Sequence, residues 1–399
     1  ENVTGIEMSV NKVDMKTIRK IPALLGEVDL VRAIQLLPGV STVGEGASGF
    51  NVRGGGVDQN LVLLDDAPVY NSSHLFGFFS VFNPDAVKDV KLFKGGIPSM
   101  YGGRASSILD VKMKEGNSKK LEVNGGVGVI FSRLSIEAPI VKDKASFIVA
   151  ARRSYIDVLA KPFLKGDNAN ASFSFYDLTA KVNYTINSKN TVFMSGYFGR
   201  DVFGTGFGFN WGNATLSTRW NHVFSNKLFM NATAFYSNYD YMLDSDIENK
   251  RPSDAFKWTS NIENLSIKPD FTYYIRPDNT ISFGGQLLTY DFTPGKANAT
   301  SNGEKREFGQ ANKQGVEASA YVGHDWKINS RLTVQYGVRY SHYDYKSLNG
   351  EYYDRIPVSV STENPSGYVL KINQTDPNAV VASYGNWEPR FALNLSGNE

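Results

Sequence analysis

Few residues in this 399-residue chain are spaced for catalysis. Gly44-Glu45-Gly46-Ala47-Ser48-Gly49 matches GxGxxG. It lies after a helix-like stretch and before a strand-like one, the reverse of the order a dinucleotide site needs, so it reads as a flexible loop. No GK[ST] phosphate loop, GxSxG elbow or HExxH pair occurs. His74, His222, His324 and His342 have no metal-ligand spacing, although His324 and His342 are expected to face each other on neighbouring strands. Asp65-Asp66 could serve acid–base work as a carboxylate pair, but side-by-side aspartates are more often turn acceptors. Catalytic, metal and cofactor assignments are therefore none. Recognition chemistry is better represented. The segment Asn71 to Phe79 mixes amides and hydroxyls with aromatic rings, above all Asn71, Ser72, His74, Phe76, Phe78 and Phe79. Such a loop can stack on a flat ligand and orient it by hydrogen bonds. Phe207 and Trp211, in the aromatic stretch 201–211, could add contacts.

The elements that hold these residues change character near residue 117. Before it, Val28, Val31, Ala33, Ile34 and Leu37 form a helical stripe ended by Pro38-Gly39. Strands are predicted at 50–53, 61–64, 87–93 and 108–113, and Asn83-Pro84 predicts the start of a short helix. After it, twelve strands are predicted, at about 119–130, 132–140, 145–155, 174–186, 190–200, 214–225, 227–241, 262–275, 280–293, 314–328, 331–345 and 387–396. Many are longer than the ~5–6 residues usual in soluble sheets, and match the ~9–11 needed to cross a bilayer at a tilt. Short links (141–144, 187–189, 225–226, 276–279, 329–330) alternate with long ones (156–173, 201–213, 242–261, 294–313, 346–386). That sorting belongs to outer-membrane barrels, whose short turns are periplasmic.

Alternation agrees. Leu332, Val334, Tyr336, Val338 and Tyr340 share one face, and Thr333, Gln335, Gly337, Arg339 and Ser341 the other. Arginine facing lipid at mid-bilayer costs about 2–4 kcal/mol, so Arg339 must face the lumen. Composition fits: 21 Tyr, 25 Phe, 5 Trp and 37 Gly accompany only 41% hydrophobic residues. No run of 18 apolar residues is present. A net charge near +2 gives no reason to expect nucleic acid. With no cysteine, disulfides and thiol chemistry are excluded.

The stretches LLGEVDLVRAIQLLPGV (24–40), FNVRGGGVDQNLVLLDDAPVY (50–70) and NPDAVKDVKLFKGGIPSMYGGRASSILDVKMKEG (83–116) resemble the plug domain of TonB-dependent outer-membrane transporters, in a version common in the Bacteroidetes. Arg53-Gly54-Gly55, Asp65-Asp66-Ala67-Pro68, Lys94-Gly95, Tyr101-Gly102 and Arg104 occupy the family's motif places in order, over about a hundred residues. The turn at Asp65 lacks the usual glycine, and no TonB box can be pointed to before Asn11, so it would lie upstream of Glu1 or be missing.

The resemblance implies a mainly β protein: a small α+β plug (1–117) inside a large antiparallel transmembrane β-barrel. Residues 118–399 would supply about 12 of an expected 22 strands, because an open edge cannot sit unsatisfied in lipid. It also implies energised uptake of a scarce, bulky nutrient, with the ligand held at the plug apex and outer loops. The alternative is a plugged receptor or docking protein without transport. The implied partners are TonB, outer-membrane lipids, an unidentified ligand and a surface lipoprotein. Within a plug, Arg53 would be buried against the barrel wall and need a carboxylate there, forming a plug–barrel latch.

Overall fold

The computed structural model describes residues 10–18, 20, 28–44, 49–165, 171–204, 208–245, 256–301, 304–309, 312–347, 350–360 and 367–395. The first unit contains β1 (Val10–Asp14), α1 (Met15–Ile18), α2 (Leu30–Gln35), β2 (Val40–Thr42), β3 (Phe50–Val52), β4 (Asn60–Leu64), β5 (Ala67–Pro68), β6 (Ser73–His74), β7 (Phe79–Ser80), β8 (Val87–Phe93) and β9 (Ser107–Met113). Its central sheet runs β1-β8-β9-β4-β5, with β4 and β9 parallel. Asp29 caps α2 by accepting from the Arg32 amide at 2.9 Å. The stripe residues Val31, Ala33 and Ile34 join Leu30 in the core, against Val90, Leu92, Leu109 and Val111 of the sheet. Each valine, leucine or isoleucine buried there contributes roughly 1.5–3 kcal/mol.

The helix expected at Asn83-Pro84 does not form. Asn83 closes one turn, accepting from the Ala86 and Val87 amides, and β8 begins at Val87. A β-branched residue already paired to β9 stops the turn from propagating.

The second unit is a meander: β10 (Glu122–Val127), β11 (Phe131–Val141), β12 (Ala145–Ser154), β13 (Ser172–Asn187), β14 (Asn190–Gly204), β15 (Gly208–Val223), β16 (Leu228–Asp244), β17 (Phe256–Arg276), β18 (Asn279–Ser301), β19 (Glu304–Gly309), β20 (Lys313–Lys327), β21 (Leu332–Ser347), β22 (Glu351–Pro357), β23 (Tyr368–Gln374) and β24 (Val380–Leu395). Twelve pair neighbour to neighbour from β10 to β24, all antiparallel. β19 pairs with the outer end of β18, and β22 with β23. Several expected long loops are therefore strand: β14 and β15 run to within three residues of each other, and β18 is 23 residues long. The extensions escaped sequence reading because a ladder standing in water satisfies its own backbone and needs no apolar face.

Faces follow alternation. On β17, Asn264, Ser266 and Lys268 are buried inward, while Leu265 and Ile267 are 57% and 62% exposed on the lipid side. The first unit sits on the inward face. Ser237 donates to the Pro68 carbonyl, Asn213 to that of Asn71 and Lys181 to that of Met113. Arg339 faces inward and is 1% exposed; it donates to the Met100 carbonyl (3.3 Å) and to Ser319 Oγ (2.6 Å). His324 and His342 do not oppose each other. In the β20–β21 register His324 meets Tyr336 and His342 meets Ala318, six residues apart along the ladder.

Candidate functional site

Asp65 and Asp66 form the two-residue link between β4 and β5, with Leu64 paired to Ala67. Both have positive φ (45° and 74°), as the primed hairpin turns require, and aspartate tolerates that region better than most residues. The missing glycine is explained by what the carboxylates do. Asp65 accepts from the Met113 amide at 3.1 Å and pairs with Lys181 of β13 at 2.9 Å. Asp66 pairs with Lys112 at 2.8 Å and with Arg219 of β15. Burial pushes the Asp66 carboxyl up, but Lys112, Arg219 and Lys268 outweigh it and hold it well below the usual range. Burial pulls the Lys112 ammonium down, and Asp66 and Asp110 more than reverse that. Two of the bases belong to inward positions of the barrel, so the turn is bolted to the wall.

The second contact lies nearer the outer rim. His74 is 1% exposed, stacked on Phe175 with ring centroids 4.5 Å apart. Its Nδ1 is 2.6 Å from Asp201 Oδ2, and its Nε2 is 3.2 Å from both Asp177 Oδ2 and the Tyr197 hydroxyl. Arg152 pairs with Asp177 at 2.6 Å and donates to the Ser80 carbonyl at 2.9 Å. The other oxygen of Asp201 accepts from the Leu75 amide at 2.7 Å. Desolvation alone would lower the histidine, but Asp201 and Asp177 outweigh it and push it up to about 9. The imidazolium and guanidinium thus balance two carboxylates away from water, the condition under which buried charge is tolerated. Asp201 also holds Leu75 and Phe76 at φ 48° and 56°, placing the Phe76 ring against Phe203 and Trp211.

The residues singled out from sequence fall in different places. Arg53, expected to be buried, is instead exposed at φ 50° in the turn after β3, near Lys94, whose ammonium is pushed down by burial and by the Arg53 charge. The bases that hold the plug to the wall include Arg152, Lys181 and Arg219, which pair with plug groups, and Arg339 and Arg390, which grip the Met100 and the Ile97 and Pro98 carbonyls, and all of these lie on the barrel. Their sequence signal was present: a charge in the inward row of a lipid-crossing strand must find a partner. Among the ligand candidates, Ser72, His74, Phe79 and Trp211 are buried, the first three within the seam; Phe76 and Phe78 are exposed and Asn71 is half-buried. Phe207 lies outside the described residues. Gly54 and Gly55 follow Arg53 in the same turn; Gly54 has φ 81°. Gly102 backs onto the Arg339 guanidinium, where a Cβ would collide. Tyr101 is buried and donates to Asp110 at 3.1 Å; Lys94-Gly95 ends β8.

Above the Asp66 bolt, plug and wall enclose an outward cavity of about 730 Å³. Arg104 and Tyr70 line its plug side and Tyr239, Tyr290, Phe292 and Tyr343 its barrel side. Burial pushes the Tyr70 phenol up to about 12, against the opposing pull of Arg104 and a hydrogen bond to Asn264.

A small α+β domain seated inside a lipid-facing antiparallel meander and tied to it by buried charge defines a plugged outer-membrane β-barrel. Residues 3–107 match the family described as TonB-dependent Receptor Plug Domain, and residues 276–398 match Outer membrane beta barrel domain. Among solved structures the fold is similar to the copper transporter OprC (TM-score 0.67, 13% identity, 96% of this chain and 60% of that one). It is similar to the ferric yersiniabactin uptake receptor FyuA from Yersinia pestis (0.67, 11%, 97% and 62%). It also resembles the siderophore receptor PirA from Acinetobacter baumannii (0.64, 13%, 98% and 69%). No curated protein matches in sequence. The chain thus carries a TonB-dependent receptor plug domain and part of an outer-membrane β-barrel. It spans about 60% of the first of these structures.

Proposed function

We propose that the protein imports a scarce, bulky nutrient across the outer membrane, driven by TonB acting on the plug. Residues 1–117 act as the plug and 118–399 as barrel. The ligand docks from outside on the plug apex, at Asn71, Phe76 and Phe78, and on the outer cavity. The observation that carries this reading is the nature of the plug–wall seam. It is built from ion pairs and hydrogen bonds (Asp65–Lys181, Asp66–Arg219, His74–Asp201, Arg152–Ser80). Such a seam can be wetted and re-formed, whereas a wholly apolar one would expose oily surface each time the plug moved. No nucleotide-binding sequence is present, so the work must come from a motor outside this chain.

The test is growth on a panel of scarce nutrients (ferric chelates, cobalamin, oligosaccharides). Strains carry the gene intact, deleted, or intact without the TonB motor. Growth on one nutrient should require both gene and motor. Growth that needs the gene but survives loss of the motor would reject energised import.

A further inference from the structure

The short turns of the meander, which form its periplasmic rim, share a sign. They close at 141–145, 187–190, 223–229, 276–279 and 327–333. Each carries at least one base: Lys142 and Lys144, Lys189, Lys227, Arg276, then Lys327 and Arg331. All seven are exposed. The same turns hold two acids, Asp143 and Asp278. With seven of the chain's 42 bases and two of its 40 acids, the rim is net +5 and everything else net −3. At least five of the bases therefore have no acid to match them within the turns. Successive turns lie two strands apart, about 10 Å, and the screening length at physiological ionic strength is about 8 Å, so their potentials overlap. The link into β10 lengthens the arc. There the Ser118 carbonyl accepts from the Asp143 amide at 3.0 Å, beside exposed Lys119 and the Lys120–Glu122 pair.

What lies immediately inside the turns says what faces them. On the lipid side, Tyr184, Trp220, Phe224, Tyr273, Trp326 and Tyr336 are between 38% and 47% exposed. Each lies in one of these turns or within three residues of it. Aromatic side chains so placed mark the headgroup level of a bilayer. Their polar edges are tied to the turns themselves. Trp220 Nε1 donates to Asn190 Oδ1 at 3.0 Å, with His222 Nδ1 2.7 Å from the same oxygen. His324, stacked on Trp326, has its Nε2 2.6 Å from Asn279 Oδ1. Asn190 directly follows Lys189, and Asn279 closes the turn that Arg276 opens. The bases thus stand at the edge of the aromatic belt, at the depth of lipid phosphates rather than out in the periplasm. A lysine stem can lie along the rings while its ammonium reaches a phosphate.

We infer that this arc binds the anionic phospholipids of the periplasmic leaflet, those with a phosphodiester and no compensating amine, in preference to zwitterionic ones. The rings fix the depth and the bases supply the charge preference. An acidic polymer in the periplasm would meet the same charges but has no use for the belt, so lipid is the partner the geometry favours. The inference needs the outer-membrane placement and is independent of the import reading.

The experiment reconstitutes the full-length protein in phosphatidylcholine bilayers containing brominated phosphatidylglycerol or brominated phosphatidylethanolamine, and follows tryptophan quenching. Trp220 and Trp326 report from the belt, and the quenching missing from a Trp220→Phe/Trp326→Phe variant isolates their signal. Phosphatidylglycerol should associate about fivefold more strongly than phosphatidylethanolamine, the gain from one base near one net charge. The preference should nearly vanish in about 0.5 M salt, where the screening length is roughly 4 Å. It should nearly vanish too in Lys144→Gln/Lys189→Gln/Lys227→Gln. Lys305→Gln/Arg306→Gln, on β19 at the opposite end of the meander, should leave it unchanged. Retained heat-modifiable migration on gels establishes that the variants fold, and the salt series needs no variant. Equal association of the two lipids, a preference that survives both salt and the triple substitution, or one lost equally in the β19 variant would overturn the inference. So would a preference abolished by micromolar poly-glutamate, which would assign the arc to an acidic polymer.

Discussion

Raising the pH should loosen the outer half of the plug through a single side chain. His74 is held up to about 9 in the seated plug, against about 6.5 once the seam opens to water. A group whose seated value is the higher one stabilises the seated state fully below 6.5, and that contribution is lost as pH rises through about 9. At 1.36 kcal/mol per pH unit the contribution is about 2.5 kcal/mol at pH 7 and approaches zero near pH 10. Opening of the seam should thus become roughly a hundredfold more frequent across that range. The groups facing His74 are Asp177, Asp201, Tyr197 and, through Asp177, Arg152. The chain has no cysteine, so a single Ser73→Cys, at a buried seam position, reports opening by its rate of maleimide labelling. Dividing by the rate at an exposed Lys119→Cys removes the pH dependence of the thiol itself. The ratio should climb from pH 7 to 9.5, and His74→Gln should start high and stay flat. A flat ratio in the parent, or an equal slope in His74→Gln, would refute the reasoning.

Other substitutions separate bolts from bystanders. Arg152→Ala strands Asp177 and His74 in the seam and should destabilise the seated plug by about 3–5 kcal/mol, read as a collapse of Ser73→Cys protection. Arg53→Ala, at an exposed turn, should leave that protection within a factor of about two of the parent, since surface changes stay within about 0.5 kcal/mol. Asp66→Gly relieves a positive φ worth about 1 kcal/mol but takes from Arg219 its paired carboxylate and leaves Lys112 with Asp110 alone, a loss that costs more. The variant should therefore melt earlier in calorimetry despite its easier turn; a higher melting temperature would show that backbone strain dominates. Asp201→Ala removes the acceptor that fixes Leu75 and Phe76 and should raise proteolytic cleavage within residues 74–78, measured by mass spectrometry.

Local rules settled much of this protein before any tertiary contact was considered. Strand length, the sorting of short and long links, and the cost of arginine in lipid fixed the antiparallel meander and the inward direction of Arg339. The helical stripe around Ile34 and the strands at Phe50, Leu61 and Val87 were legible for the same reason, since their periods are set by the backbone alone. What stayed hidden depends on which distant residues meet. Asp65-Asp66 looked like a turn acceptor and is one, yet its selection over glycine makes sense only once Lys181 and Arg219 arrive from strands over a hundred residues away. Arg53 carried the motif yet lies exposed, because a charge in a surface turn can stay in water while an inward charge on a lipid-crossing strand cannot. The seam around His74 was invisible for a further reason. Two carboxylates, a guanidinium and an imidazole are unremarkable apart, and only their joint removal from water forces them into one network.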